Sequence, residues 1–303
     1  MNKVASLREV VNEFVADGSE VCLGGFVGRA AMAAVHEIVR QQKKDLTIIS
    51  DSEVDPAEVI ISAGCVKRLI TSYTWIGIIG SGLSFRRAAE KEIPRPIEVV
   101  EYSNLAIAMM FMAGALNVPY MPLRSMVGSD LPKCNPNIKI TEDPYTGKTI
   151  SLVPALRPEV AFVHVQRADK MGNAQIWGML ANDINIARAA KRVVITCEEI
   201  IPTREIRKIP NMTAIPYYCV EAVVEIPFAA HPLGVAGYYW VDSPFRKYFM
   251  NANKSYECIT SWIKEWILDI DSHDDYMRKL GAERLARLRR MELDNYKIPR
   301  FID

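Results

Sequence analysis

Two hydrophobic periods alternate along the chain. Leu7, Val10, Val11 and Phe14 fall on one helical face, Ser6 and Glu9 form a capping box ahead of it, and Gly18 marks its end. The unbroken apolar run Val21-Cys22-Leu23 then reads as a buried strand that stops at Gly24-Gly25. A helical pattern over residues 30–40 leads into a second buried strand, Leu46-Thr47-Ile48-Ile49. The alternation continues through a strand at Leu69-Ile70, a helix over 86–91 and strands at 97–100, 160–165, 193–196 and 220–226. Strands that alternate with helices at this spacing predict an α/β fold: an open, largely parallel sheet flanked by helices.

Two stretches break the rhythm. Residues 121–158 carry six prolines but keep apolar positions, which predicts an ordered excursion rather than a linker. From about Asp242 the period is helical only, with Ile259, Trp262, Ile263, Trp266 and Ile267 on one stripe, followed by a last helix bearing Leu280, Leu285 and Leu288. The expected organisation is an α/β domain over 1–241 and a C-terminal helical arm over 242–303 packed on it.

Composition narrows the function. Of 303 residues half are hydrophobic and 24% charged, with 37 Lys+Arg against 36 Asp+Glu, so the chain is neither disordered nor basic enough for bulk nucleic-acid binding. A net charge of +1 raises no strong self-repulsion against pairing with another chain. The six cysteines are scattered without a C-x-x-C pair and read as reduced, mostly core thiols. The start, Met1-Asn2-Lys3-Val4, leads directly into the first helix without a signal-peptide pattern, and the longest apolar run, Leu105 to Leu116, has 12 residues, too short for a bilayer. A cytoplasmic protein without membrane contact is expected.

Several chemistries lack their motifs. There is no G-x-x-x-x-G-K-[ST] and no G-x-S-x-G, and Gly77-Ile78-Ile79-Gly80-Ser81-Gly82 has the wrong order for a dinucleotide fingerprint. His36, His164, His231 and His273 stand apart in sequence, which predicts no metal site. Five segments remain. Leu23-Gly24-Gly25-Phe26-Val27-Gly28-Arg29 is either a glycine turn offering backbone donors at a helix start or a tightly packed βα turn. Ser72-Tyr73-Thr74-Trp75 follows a strand at the end where parallel sheets bind ligands, though a capped loop explains it equally. Glu101, in Glu98-Val99-Val100-Glu101-Tyr102-Ser103-Asn104, ends a strand against a helix start, placed to act as base or nucleophile, or only to complement the helix dipole. Arg167 to Asn173 reads as a hairpin-like turn, and the paired acids of Cys197-Glu198-Glu199-Ile200 as a site or, taken alone, rather as a solvated loop.

In order, these segments resemble the A (alpha) chain of family I coenzyme A transferases, and most closely the glutaconate-type enzymes. The likeness is carried by Leu23-Gly24-Gly25-Phe26, Ser72-Tyr73, Glu101-Tyr102-Ser103, Gly128-Ser129, Ala168-Asp169 with Gly172-Asn173, and Cys197-Glu198-Glu199-Ile200. Ala230-His231-Pro232, Lys264-Glu265-Trp266 and Lys279-Leu280-Gly281-Ala282 extend it over nearly the whole chain.

The resemblance implies a heteromeric enzyme, a heterotetramer or larger, in which this alpha subunit pairs with a B (beta) subunit of related fold. Coenzyme A would pass, as a thioester substrate and not as a resident cofactor, from an acyl-CoA to a free acid through a glutamyl–CoA thioester. In the family that glutamate lies on the beta subunit, and Ser52-Glu53-Val54-Asp55 lacks the glycine that follows it, so Glu53 receives no such role. The same resemblance extends to ring-opening hydrolases that act on steroid-derived CoA thioesters, where a glutamate at a position like Glu101 acts as base. Glu101 is therefore the expected catalytic residue under both readings. Gly24, Gly25 and Phe26 are expected as backbone donors, and Ser72, Ser81, Gly128 and Ser129 as substrate-lining groups. A dicarboxylic substrate would need a cation from Arg29, Arg86 or Arg124.

Overall fold

The computed structural model describes residues 2–25, 28–50, 54–76 and 80–295. The first part of the chain runs α1 (Leu7–Phe14), β1 (Glu20–Leu23), α2 (Met32–Arg40), β2 (Leu46–Ser50), α3 (Val54–Ser62), β3 (Val66–Thr71), two short strands β4 (Trp75–Ile76) and β5 (Gly80–Ser81), α4 (Leu83–Lys91), β6 (Glu98–Glu101) and α5 (Asn104–Ala115). An excursion follows with β7 (Tyr120–Leu123), α6 (Leu131–Cys134), β8 (Lys139–Glu142) and β9 (Thr149–Pro154). The sheet resumes with β10 (Val160–Ala168), β11 (Ala174–Gln175), α7 (Asp183–Ala189), β12 (Arg192–Ile200), α8 (Thr203–Lys208), β13 (Thr213–Ile215) and β14 (Ala222–Glu225). The helices α9 (Ser243–Ala252), α10 (Tyr256–Ile263), α11 (His273–Leu280) and α12 (Ala282–Asn295) come last.

The strands β6, β3, β2, β1, β10, β12 and β14 lie side by side in that order, every neighbouring pair parallel. The expected open parallel sheet is present, and β11 and β13 extend it as an antiparallel lip beside the end of β10. Successive strand side chains point to opposite faces, and this alternation feeds two cores. Val21, Leu23, Ile48, Phe162 and Val194 enter one, with α1, α2, α3 and the C-terminal helices. Cys22, Ile49, Ala161, Val163, Val193 and Ile195 enter the other, with α5, α7 and the excursion. Full burial of each large aliphatic contributes roughly 1.5–3 kcal/mol, so both layers are anchored through the same strands.

The capping box is present, with the Ser6 hydroxyl accepting the Glu9 N–H. The excursion forms a small antiparallel sheet in the order β7-β9-β8. Ile259, Trp262, Ile263 and Ile267 of the helical stripe are buried in the first core. Tethers reinforce the packing: Arg246 grips Asp55 of α3 with two hydrogen bonds of 2.9 and 2.7 Å, and Arg40 of α2 reaches the Ile270 carbonyl at 2.6 Å. Glu58 of α3 accepts from Ser84 N, Phe85 N and Asn253 Nδ2 at 2.8–3.0 Å, and burial raises its pKa.

Away from the turn after β1, the structure differs from the sequence pattern at three places. Residues 280–288 do not share one helix: Gly281, with φ of +88°, separates α11 from α12, and glycine tolerates that backbone where other residues do not. Glu198 is not in a solvated loop but buried inside β12, where His164 Nε2 at 2.9 Å and the Phe228 N–H at 3.0 Å satisfy its carboxyl oxygens. Two histidines are not isolated: His164 pairs with Glu198, and His231 bridges Asp242 at 3.1 Å and the Tyr276 hydroxyl at 2.6 Å. These partners lie 34, 11 and 45 residues away, distances at which sequence spacing carries no signal.

Candidate functional site at the carboxyl ends of the parallel strands

From β1 the chain builds outward to β2, β3 and β6, then returns on the other flank of β1 with β10. The order reverses between β1 and β10, and crevices at such a switch point are where open α/β sheets bind ligands. Four features gather along this edge: the turn after β1, the loop after β3, Glu101 at the end of β6, and the strand end of β10.

The turn after β1 is held from inside. Gly24 N donates to the Phe162 carbonyl at 2.9 Å, and Gly25 N donates to Asp183 Oδ1 at 3.1 Å. Both N–H groups are consumed, so Gly24 and Gly25 are not the free backbone donors expected from the sequence. Their small size serves packing instead. A Cβ on Gly24 would lie 3.1 Å from Asp183 Oδ1, and one on Gly25 would lie 2.8 Å from Ala30 N. Phe26 falls outside the described residues, as does Glu53. Arg29 is likewise not a free cation. It is buried, and its guanidinium donates to the His164 carbonyl at 2.8 Å, the Met179 carbonyl at 2.8 Å and Asp183 Oδ2 at 2.9 Å.

Glu101 occupies the last position of β6, in register with Thr71 of β3. It is exposed, and among the described residues none donates a hydrogen bond to its carboxylate. Its backbone is fixed: the carbonyl accepts from Asn135 Nδ2 at 2.9 Å, and the next N–H, of Tyr102, donates to the Thr71 carbonyl at 3.1 Å. Tyr102 is buried, which raises its phenol pKa. Ser103 caps α5 by accepting the Ala106 N–H and meets the Ser125 hydroxyl at 2.6 Å. The excursion is thereby tied to the strand end through Asn135 and Ser125. A rigid backbone thus carries an exposed carboxylate beside a helix N-terminus, which suits a group that acts on a bound molecule.

The loop after β3 brings Ser72 to the same place, because β3 and β6 are paired. Asn104 Nδ2 approaches Ser72 Oγ to 3.5 Å, and Thr71 Oγ1 donates to the Tyr73 carbonyl at 2.9 Å. Ser81 is half-buried in the β4–β5 hairpin, opposite the exposed Trp75. Gly128, with φ of +80°, and Ser129 close a turn after β7, where the Ser129 hydroxyl donates to the Met126 carbonyl at 2.8 Å. The turn beginning at Asp169 is present: its carboxylate gathers the N–H groups of Met171, Gly172 and Asn173 at 2.9–3.0 Å. Arg86 pairs with Glu90 at 3.0 Å on the surface of α4, and Arg124 is exposed. Among the described residues no group of three His, Cys, Asp or Glu side chains is placed to hold a metal ion. None of their helices is long and apolar enough to cross a membrane.

Asp183, His164, Ser125 and Asn135 carry no sequence motif of their own yet brace this edge. Each acquires its role from a partner far away in the chain, and no local pattern marks it.

The family model for coenzyme A transferase matches residues 4–226, which span the whole parallel sheet. The chain belongs to the coenzyme A transferase family. It is 37% identical over 281 residues to the alpha-type chain of 3-oxoadipate CoA-transferase from Pseudomonas knackmussii, covering 93% of this chain and 99% of that protein. With the corresponding chain of glutaconate CoA-transferase from Acidaminococcus fermentans it shares 36% identity over 307 residues, covering 95% of each. The crystal structure of that glutaconate coenzyme A-transferase superposes with a TM-score of 0.90 over 94% of this chain and 95% of that one. The expected fold and the alpha-type CoA-transferase chain are therefore both present. A ring-cleaving hydrolase subunit for cholesterol from Rhodococcus jostii is more distant, at 27% identity over 286 residues, 91% of this chain and 94% of that protein. An uncharacterized protein of Archaeoglobus fulgidus is 38% identical over 293 residues, and this chain spans 65% of its length.

Proposed function

We propose that this chain is the alpha subunit of a heteromeric, cytoplasmic CoA-transferase that moves coenzyme A between an acyl-CoA and a free acid. The names of the glutaconate and 3-oxoadipate relatives support a dicarboxylic acid as substrate. The observation that carries the reading is Glu101, an exposed carboxylate on a fixed strand end at the ligand-binding edge of a CoA-transferase fold.

The chemistry is a double displacement. A glutamate from the beta subunit first attacks the thioester carbonyl; a C–O bond forms, the C–S bond breaks, and CoA leaves as thiolate from an acyl–glutamyl anhydride. The thiolate then attacks the glutamyl carbonyl, releases the first acid as carboxylate and leaves a glutamyl–CoA thioester. The second acid reverses both steps. Charge builds on a carbonyl oxygen each time, so fixed donors and an ordered polar edge are what this chain contributes. Glu101 faces the bound acid, where its carboxylate accepts a hydrogen bond or a proton; Ser72 and Ser81 line the approach. The hydrolase reading, with Glu101 as base toward water, ranks second because that relative is 27% identical against 36 and 37% for the transferases.

The test uses this chain with its beta subunit. Glu101→Gln should lower CoA transfer by at least about 100-fold, the scale of a positioned acid–base group, with the melting temperature unchanged. A wild-type rate would remove Glu101 from the site. Full turnover by this chain alone would overturn the two-subunit reading.

A further inference from the structure

We infer that Asp183 and Arg29 form a buried clamp that sets the geometry of the turn after β1, and that Asp183 is a positioning residue for CoA transfer. The inference rests on the proposed function above. One carboxylate holds the turn at both ends, since Oδ1 accepts the Gly25 N–H at 3.1 Å and Oδ2 accepts the Arg29 guanidinium at 2.9 Å. Arg29 carries the grip onward to the His164 carbonyl of β10 and to the Met179 carbonyl, both at 2.8 Å. Three elements that meet at the switch point are thereby locked together: the end of β1, strand β10, and the segment leading into α7.

Two backbone features show that the lock works against local preference. Arg29 has φ of +55°, a left-handed conformation that a non-glycine residue keeps only when its surroundings impose it. Its own N–H is tied to the Gly234 carbonyl at 3.1 Å. Gly25, with φ of +108°, folds so closely onto Arg29 and Ala30 that no side chain fits. The pair is almost fully buried, with side-chain exposures of 5% for Arg29 and 0% for Asp183, so neither group can reach a substrate. Their effect is exerted through the turn they hold. Within this turn the N–H groups of Gly24, Gly25 and Arg29 all have acceptors, so the turn is fixed from its own backbone as well as through the clamp.

The experiment compares wild type, Asp183→Asn and Arg29→Lys by hydrogen exchange on the full chain and by steady-state CoA transfer in the complex with the beta subunit. Asn keeps the size but presents an amide N–H₂ to one of two donors; Lys keeps the charge but cannot reach three acceptors. Exchange at the amides of Gly24, Gly25 and Arg29 should rise at least tenfold in both variants. Their kcat should fall at least tenfold, with KM for the acyl-CoA changed less than threefold and the loss smaller in Arg29→Lys. Unchanged exchange overturns the clamp. Faster exchange with wild-type kcat overturns the positioning role. If Asp183→Asn does not fold, Arg29→Lys decides alone on the same criteria. A wild-type complex that transfers no CoA would sink the proposed function, and the positioning role with it, while exchange still decides whether the clamp exists.

Discussion

Replacing Gly25 by Ala tests whether the turn after β1 is built by internal packing. A Cβ there would stand 2.8 Å from Ala30 N and 2.9 Å from both Ala30 Cα and the Arg29 carbonyl carbon. All three are backbone atoms, so no side-chain rotation relieves the clash. A φ of +108° adds strain for any L side chain, about 1–3 kcal/mol, and overpacking adds roughly another 1–3 kcal/mol. The expected cost is about 2–6 kcal/mol. With an unfolding entropy of about 2.1 cal/mol/K per residue, 303 residues unfolding as a unit shift by about 1.6 °C per kcal/mol, a drop of roughly 3–10 °C. Gly18→Ala is the control, because Gly18 has φ of +83° but no atom within 4 Å of a built Cβ. It should cost only about 1 kcal/mol, or about 1–2 °C. Calorimetry on the three chains reads both shifts. If Gly25→Ala melts with or above Gly18→Ala, the close approach is not a constraint and the packing argument fails.

Further outcomes follow from buried groups. Gly114→Ala in α5 should prevent soluble folding or lower the melting temperature more than Gly25→Ala, since its Cβ would lie 2.1 Å from the Leu156 carbonyl oxygen; a native circular-dichroism melt would refute the tight α5 contact. Acid should weaken the fold through histidines. Burial holds the pKa of His36 well below its ordinary value, lowers that of His231, and pushes that of His273 down to about 4. The unfolded chain then binds more protons than the folded one below about pH 6.5, so stability is complete above that pH and falls between 6.5 and about 4. Urea midpoints at pH 7.5, 6 and 5 should decline in order; a flat series would contradict burial of neutral imidazoles.

The layers of this fold are written in its hydrophobic pattern. Short apolar runs separated by amphipathic helices force a parallel sheet, because runs with apolar residues on both faces must be covered twice and the connections between them are long enough to cross over. The order of motifs is specific enough to indicate the coenzyme A transferase family and to single out Glu101 at a strand end. How the polar groups are used depends instead on tertiary contacts. Arg29 looks like a substrate cation in the sequence, and Glu198 looks solvated. Each proved buried, with a hydrogen-bonding partner 154 residues away for Arg29 and 34 residues away for Glu198. Burying an ionised group is unfavourable without such a partner and tolerable with one. Hydrophobic period is a local property of the chain, whereas charge compensation is a property of the folded neighbourhood. That is why the architecture could be read along the sequence, while the clamp at the switch point emerged only once β1, β10 and α7 were brought together.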